Sequence, residues 1–256
     1  MLRDEAAQHP VNSNVRDMYE AHASIITPPD NAVIWRYMNL EKVLTLLSTQ
    51  SLFLCRLDQF ADPWEGVWPK PFVEAMRKGW PQNEQDTFLT FSKEMRRSFF
   101  LNCWHEGAYE SAALWDQYAK SAGFAIRTTV GRLKKSILDE RPIFIGKIEY
   151  LDYDKQNVSE LNMLIPPFLK RKSFQHEKEV RVMVWDMPKP KEGSIDWGQA
   201  QQNHTLRVDL SVLIEELYSS PTIDDWLMPH IRELLARFGF HNIPLIKSDL
   251  YAPHVY

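Results

Sequence analysis

The stretch that most constrains the fold runs from residue 177 to 185 and reads EKEVRVMVW. Side chains along a β-strand point alternately to opposite faces. One face of this stretch therefore carries Val180, Val182 and Val184, and the other carries Glu179, Arg181 and Met183. The valine face must pack against a core. An acid beside a guanidinium on the other face suits the wall of a cleft, and the alternative is a solvated strand face with an ordinary ion pair.

The rest of the chain intermingles segments typical of strands and helices. The predicted strands are 32–37, 51–55, 98–104, 124–128, 143–150, 180–185, 205–210 and 243–246. The predicted helices are 13–22, 40–47, 110–120, 131–138 and 225–238, with further helical segments within 70–97 and 157–176. Regular βαβ alternation is absent, which favours an α+β fold. We expect a mixed, mostly antiparallel sheet with flanking helices, and a split β-sandwich around a cleft is one arrangement that fits.

The polar start of the chain predicts a boundary near residue 32. Residues 1–32 are expected to form a polar N-terminal extension, because the TPPD stretch at 27–30 opposes helix formation. Residues 33–256 are then one α+β domain. Within it we expect a core over 33–186, a loop over 187–204 and a C-terminal strand-helix-strand unit over 205–256.

Composition excludes several functional classes. The net charge is −4 with scattered Lys and Arg, so we do not expect duplex nucleic acid as a partner. No apolar run is long enough to span a membrane, and the first residues lack a secretory h-region, so a cytoplasmic location is expected. Cys55 and Cys103 lie in apolar runs and are expected to be buried free thiols. The sequence has no P-loop, no G-x-G-x-x-G and no metal-ligand spacing, so no metal site is predicted.

Several polar and aromatic residues are candidates for ligand binding. Arg36 lies between two aromatic residues and could hold a phosphate or carboxylate, or could simply stack on its neighbours. Trp115 and Tyr118 lie one helical turn apart, a spacing that fits a ligand platform or a core. His105 follows a strand and could contact a ligand or be structural. Asp62 precedes a proline, which favours a role in turn geometry.

Taken together, five motifs resemble a bacterial family catalogued as domain of unknown function 2971. They are WRY at 35–37 with SLFL at 51–54 after it, DPWE at 62–65, LWDQYA at 114–119, GFAI at 123–126 and EKEVR at 177–181. The resemblance covers roughly residues 33–186. Two positions depart from the family pattern: Ala61 replaces an Asn, and residues 174–176 replace a Trp-x-Tyr.

The resemblance implies a role in phage defence or in a toxin-like system. The layout also resembles that of ADP-ribosyltransferases, which place a basic residue on the first strand and a Glu on a late strand around a cleft for NAD. By this analogy, the chain is an NAD-dependent ADP-ribosyltransferase-like or NAD-cleaving protein, with NAD as substrate. A carboxylate would then stabilise the oxocarbenium-like ribose in the transition state. The roles implied are catalysis by Glu179, or else Glu177, and NAD binding by Arg36, Tyr37, Trp115, Tyr118, Arg181 and His105.

The rival hypothesis is a non-catalytic recognition module of a defence system. It would bind a nucleotide or dinucleotide, or a protein partner. A nuclease is a third reading, with Asp62, Glu65, Glu177 and Glu179 as the only candidate metal-binding acids. Geometry discriminates between the first two, because an enzyme needs Glu179 and Arg36 to face one concave pocket.

Overall fold

The structure, a computed structural model, describes residues 19–120, 122–158, 160–191 and 193–253. The strands within these residues are β1 (Val33–Met38), β2 (Ser51–Arg56), β3 (Phe99–Glu106), β4 (Phe124–Thr129), β5 (Ile143–Lys147), β6 (Glu149–Leu151), β7 (Leu169–Arg171), β8 (Glu179–Trp185), β9 (Asn203–Arg207), β10 (Glu216–Ser219) and β11 (Leu245–Lys247). The helices are α1 (Leu40–Thr49), α2 (Lys70–Gly79), α3 (Gln82–Met95), α4 (Ala112–Tyr118), α5 (Val130–Ser136), α6 (Leu210–Leu213) and α7 (Leu227–Arg237).

A nine-stranded, mostly antiparallel sheet organises the chain, and the predicted α+β class is confirmed. Its order is β11-β10-β4-β1-β3-β2-β9, and β8 pairs with both β3 and β5. Of its strand pairs, only β10 with β11 is parallel. A separate two-stranded sheet joins β6 and β7.

The large sheet forks at β3. One edge of β3 pairs with β8 along its length. The other edge is shared, because its first half pairs with β2 and its end pairs with β1. Side chains span the gap between β1 and β2. Arg36 Nη1 donates to the carbonyl of Cys103 at 2.6 Å, and Asn102 Nδ2 donates to the carbonyl of Phe53 at 2.8 Å.

The two faces of the sheet cover separate cores, as the alternation in β8 predicts. On the valine face, the side of Val180, Val182 and Val184, the largest cluster packs against α1, α5, α6 and α7. On the acidic face, the side of Glu179 and Arg181, a second cluster includes Met183. A third, aromatic cluster on the acidic face lies between β1 and α4.

Capping side chains and glycines mark several helix ends. The side chain of Asn39 accepts from the backbone of Lys42 and caps α1. Gly239 adopts φ of 86° just after α7. A glycine after a helix often adopts a positive φ, but Gly123, which follows α4, does not. A Cβ there would lie 2.1 Å from the carbonyl oxygen of Ala119, so close backbone approach requires the glycine.

Residues 19–32 belong to the folded domain. Tyr19 bridges to Ile143, Lys147 donates to the carbonyl of Ile26, and Ile25 is buried in the core of the acidic face. The segment therefore runs beside β5 instead of forming part of a separate extension. Of the helix expected over 13–22, residues 13–18 lie outside the described residues, and 19–22 are not helical.

Three other segments differ from prediction. The strand expected over 143–150 is split between the two sheets. Residues 157–176 contain β7 and two 3₁₀ turns, at 166–168 and from 172 to 177, in place of an α-helix. The consecutive prolines at 166 and 167 leave no N–H groups for helical bonds there. The strand expected over 205–210 begins at 203 and ends at 207.

Candidate functional site

A buried charge cluster lies on the acidic face and consists of Glu65, Lys170, Glu177, Glu179 and Arg181. At its centre, Lys170 Nζ contacts three carboxylates: Glu177 at 2.5 Å, Glu65 at 3.0 Å and Glu179 at 3.1 Å. Three carboxylates thus surround two cations. Fully ionised, the cluster carries one net negative charge.

Arg181 ties the cluster to the surrounding chain. Its side chain is 0 % exposed, and its guanidinium forms four hydrogen bonds. Two go to Glu179, at 2.8 and 3.1 Å, one goes to Glu65 at 2.7 Å, and one goes to the carbonyl of Pro167 at 2.6 Å. The guanidinium also lies over the ring of Phe60, 5.3 Å from its centroid. Every cluster charge is therefore paired, as buried charges require.

The cluster joins segments that are far apart in the sequence. Glu65 lies in the turn that follows β2, Lys170 in β7, and Glu177 at the end of a 3₁₀ turn. Glu179 and Arg181 lie two residues apart on β8, so their side chains share a face. The network therefore fastens two irregular segments to the sheet.

The electrostatics keep Glu179 ionised. Burial alone would raise the pKa of its carboxyl group, but the charges of Arg181 and Lys170 lower it to about 2. For Lys170, burial acts to lower the pKa, and the carboxylates of Glu179 and Glu65 outweigh it and raise the pKa. Both groups are therefore charged near pH 7, and an ionised Glu179 held by two cations is a weak general base.

An open groove of about 480 Å³ lies beside the cluster. Its lining comes from the loop after β3, the end of β5, Tyr150 and the start of β8: Glu106, Gly107, Ala108, Lys147, Ile148, Tyr150, Gln175, Lys178 and Glu179. Lys147 and Glu106 form an ion pair of 2.7 Å across it. The volume falls within the range of small-ligand sites.

Lys178 is the unusual residue of the groove. Its backbone is left-handed, with φ of 41° and ψ of 53°. Hydrogen bonds hold it there, because its N–H donates to Gln175 and its carbonyl accepts from Glu106. The side chain is exposed and has no ion-pair partner among the described residues. A strained backbone therefore supports an unpaired cation at the groove.

Three of the residues expected to bind NAD make contacts within the protein core. The ring of Tyr37 packs edge-on against Trp115 at 5.0 Å, and its hydroxyl accepts from the backbone of Ser111. Trp115 is buried and donates to Glu110 at 2.7 Å. His105 Nδ1 donates to the carbonyl of Glu177 at 2.7 Å, and burial lowers its pKa. The hydrogen bond places a proton on Nδ1, and the lowered pKa favours the neutral ring.

Tyr118 lies at the outer margin of the acidic face. It is 45 % exposed. Burial of the hydroxyl raises its pKa to about 12, and the negative charge of Glu177 adds to the rise. Of the two aromatic residues Trp115 and Tyr118, Tyr118 is therefore the accessible one.

The expectation that Arg36 and Glu179 face one pocket is wrong. Trp35 pairs with His105, and His105 pairs with Glu179, so these three side chains share the acidic face. The side chain of Arg36 leaves β1 on the opposite, valine face. Its guanidinium bonds to the Cys103 carbonyl and has no carboxylate partner within the described chain. Strand alternation explains the error, since the residue next to Trp35 must face the other way.

Sequence reasoning missed Lys170, Tyr150 and Gln175, which lie outside the five motifs. It also missed Lys178, although this residue lies within the motif at 177–181. Lys170 belongs to a short basic run, which is the only sequence signal that marks it. Of the acids considered for a metal, Glu65, Glu177 and Glu179 surround the ammonium of Lys170, and Asp62 pairs with Arg171. Over the described residues, no group of three or more His, Cys, Asp or Glu side chains is arranged to hold a metal ion.

No family model matches the chain, and no curated protein matches it. The resemblance to domain of unknown function 2971 therefore stays a prediction. In the part of the chain that the structure describes, no helix combines the length and apolar character needed to cross a membrane.

Proposed function

We propose that the chain is a recognition module that binds a nucleotide in the groove beside Glu179, without catalysing a reaction on it. One observation carries the proposal. The candidate catalytic carboxylates are enclosed and fully paired, whereas the adjacent groove is open and carries the unpaired ammonium of Lys178.

The enclosure of Glu179 argues against a direct chemical role. Its side chain is 6 % exposed, and both of its oxygens accept from Arg181 or Lys170. A substrate would have to displace one of these cations to reach the carboxylate. Breaking a buried ion pair costs about 3–5 kcal/mol, which would be added to any reaction barrier.

The groove supplies suitable groups for a nucleotide. A phosphate could pair with the ammonium of Lys178, which has no ion-pair partner within the described part of the chain. Tyr150 and Gln175 offer an aromatic surface and an amide for the base or sugar. Because Lys178 is exposed, its contribution should weaken as salt is added.

The test is calorimetric titration with ADP, ATP and NAD at low salt. The informative variant is Lys178→Gly, because glycine relieves the left-handed strain while it removes the charge. We expect affinity to fall by about tenfold, as for one lost charge-assisted contact, with no loss of stability. Lys78→Ala removes an exposed lysine of α2, none of whose residues lines the groove, and this variant should bind like the unchanged protein. Failure of all three nucleotides to bind, or equal affinity of the glycine variant, would refute the proposal.

NAD cleavage is the second candidate, favoured by the fact that an ionised Glu179 lines the groove. In that reaction the bond from nicotinamide to ribose breaks, and its electron pair leaves with nicotinamide. Water or an acceptor then bonds to the ribose, whose developing positive charge the carboxylate stabilises. Release of nicotinamide by the protein, and its loss in a folded Glu179→Gln variant, would establish this candidate over simple binding.

A further inference from the structure

A layered arrangement of aromatic rings and cations lies on the surface above the charge cluster. The guanidinium carbon of Arg171 is 5.7 Å from the centroid of Trp64 and 5.5 Å from that of Phe174. Lys170 Nζ lies 4.9 Å from the same Phe174 ring. The indole of Trp64 meets Tyr153 edge-on at 6.0 Å. We call Trp64, Arg171 and Phe174 the stacking ladder.

The stacking ladder is both preorganised and accessible. Asp62 holds Arg171 with two contacts, at 2.9 and 3.3 Å, and its Oδ1 also accepts from the backbone N–H of Trp64 at 3.1 Å. One carboxylate thus fixes both the turn and the guanidinium. Trp64 nevertheless remains 43 % exposed. A large aromatic ring held rigidly at the surface loses little conformational entropy when a ligand stacks on it.

Two unpaired lysines flank the stacking ladder. Lys172 follows Arg171 directly, and its side chain is exposed. Lys70 is exposed as well, and its backbone N–H donates to the carbonyl of Tyr153, whose ring contacts Trp64. Neither lysine has an ion-pair partner in the described segments. Two exposed lysines thus belong to segments that contact the residues around an exposed aromatic ring.

We propose that the stacking ladder binds single-stranded nucleic acid, with an unpaired base on Trp64 and neighbouring phosphates on Lys70 and Lys172. Bases have apolar flat faces that stack on aromatic rings and guanidinium planes, and the flanking phosphates need cations. In a duplex the base faces are already stacked, so an intact double helix cannot use Trp64. The site is separate from the groove, since none of its residues lines that groove.

Fluorescence anisotropy with labelled oligo-dT and oligo-rU at low salt tests the proposal. Trp64→Ala should weaken binding by about tenfold or more, the usual effect of losing one base stack. Trp226→Ala is the matched control, because Trp226 is 66 % exposed on another part of the surface. Lys172→Ala should reduce the dependence of affinity on salt.

Three outcomes would overturn the proposal: no binding of either oligomer, equal losses in the two tryptophan variants, or equal affinity for duplex and single strand. Should an unstructured acidic peptide of matched charge bind as well as oligo-dT, the surface would be a protein-docking site. Lys178→Gly should leave oligonucleotide binding unchanged, so failure here is distinguishable from failure of the nucleotide proposal.

Discussion

Replacing Arg181 by methionine should lower the free energy of unfolding, because it removes one of the two cations of the buried charge cluster. The substitution leaves three carboxylates around the single ammonium of Lys170 and deprives the carbonyl of Pro167 of its donor. Removing one partner of a buried ion pair typically costs about 3–5 kcal/mol. Lys170 still contacts both Glu65 and Glu179, so we expect about 4 kcal/mol. That is a large part of the roughly 5–15 kcal/mol that stabilises a typical domain.

Urea unfolding measures this loss, because the free energy of unfolding falls linearly with urea. The matched control is Arg237→Met, since the Arg237–Glu233 pair is 75 % and 58 % exposed. Exposed pairs contribute about 0–1 kcal/mol, so this variant should unfold close to the unchanged protein.

A double variant sharpens the test. Arg181→Met combined with Glu179→Met leaves two carboxylates against one ammonium and restores the original net charge of the cluster. We therefore expect the double variant to be more stable than Arg181→Met alone. The reasoning is refuted if Arg181→Met costs less than about 1 kcal/mol, or if the second substitution only adds to the loss.

Two further predictions concern stability. The pKa of Glu179 is lowered from 4.5 to about 2, so the ionised carboxylate should contribute about 3 kcal/mol to the free energy of unfolding. This contribution should be complete above pH 4.5 and lost as the pH falls towards 2. Urea midpoints across this pH range measure it, and Glu179→Gln should make the midpoint less dependent on pH. Gly146→Ala should destabilise the fold by about 1–3 kcal/mol, because the added Cβ would lie 2.3 Å from Ile25 and 2.9 Å from Phe168. Gly79→Ala is the control and should not destabilise, because a Cβ there has nothing within 4 Å. Thermal melts compare the two variants, and equal melting temperatures would contradict the packing argument.

The alternation of β8 was the most predictive part of the sequence. It predicted which side chains share each face of the strand, because burying the valine face forces the alternate residues onto the opposite face. The cap at Asn39 and the glycine after α7 were also readable, since they depend on local hydrogen bonds and a positive φ. Interactions within one segment can be predicted from the sequence of that segment alone.

The site was less predictable because it depends on contacts between segments. Nothing local indicates that Lys170 lies under Glu65, or that β1 and β2 both pair with one edge of β3. Arg36 was misplaced although strand alternation alone puts it on the face opposite to that of Trp35. Its neighbours in sequence suggested a binding role, but its environment is set by the gap in the sheet.

The pairing of β3 with β8 also bears on how the chain reaches this fold. The two strands are separated by residues 107–178, so their contact closes a long loop. Such non-local pairs form slowly, so the backbone groups at the strand edges stay unpaired until the partner strand binds. During synthesis, β3 has no partner on its long edge until residue 185 has been added, and a growing chain halted before that point would expose this largely apolar strand to other molecules.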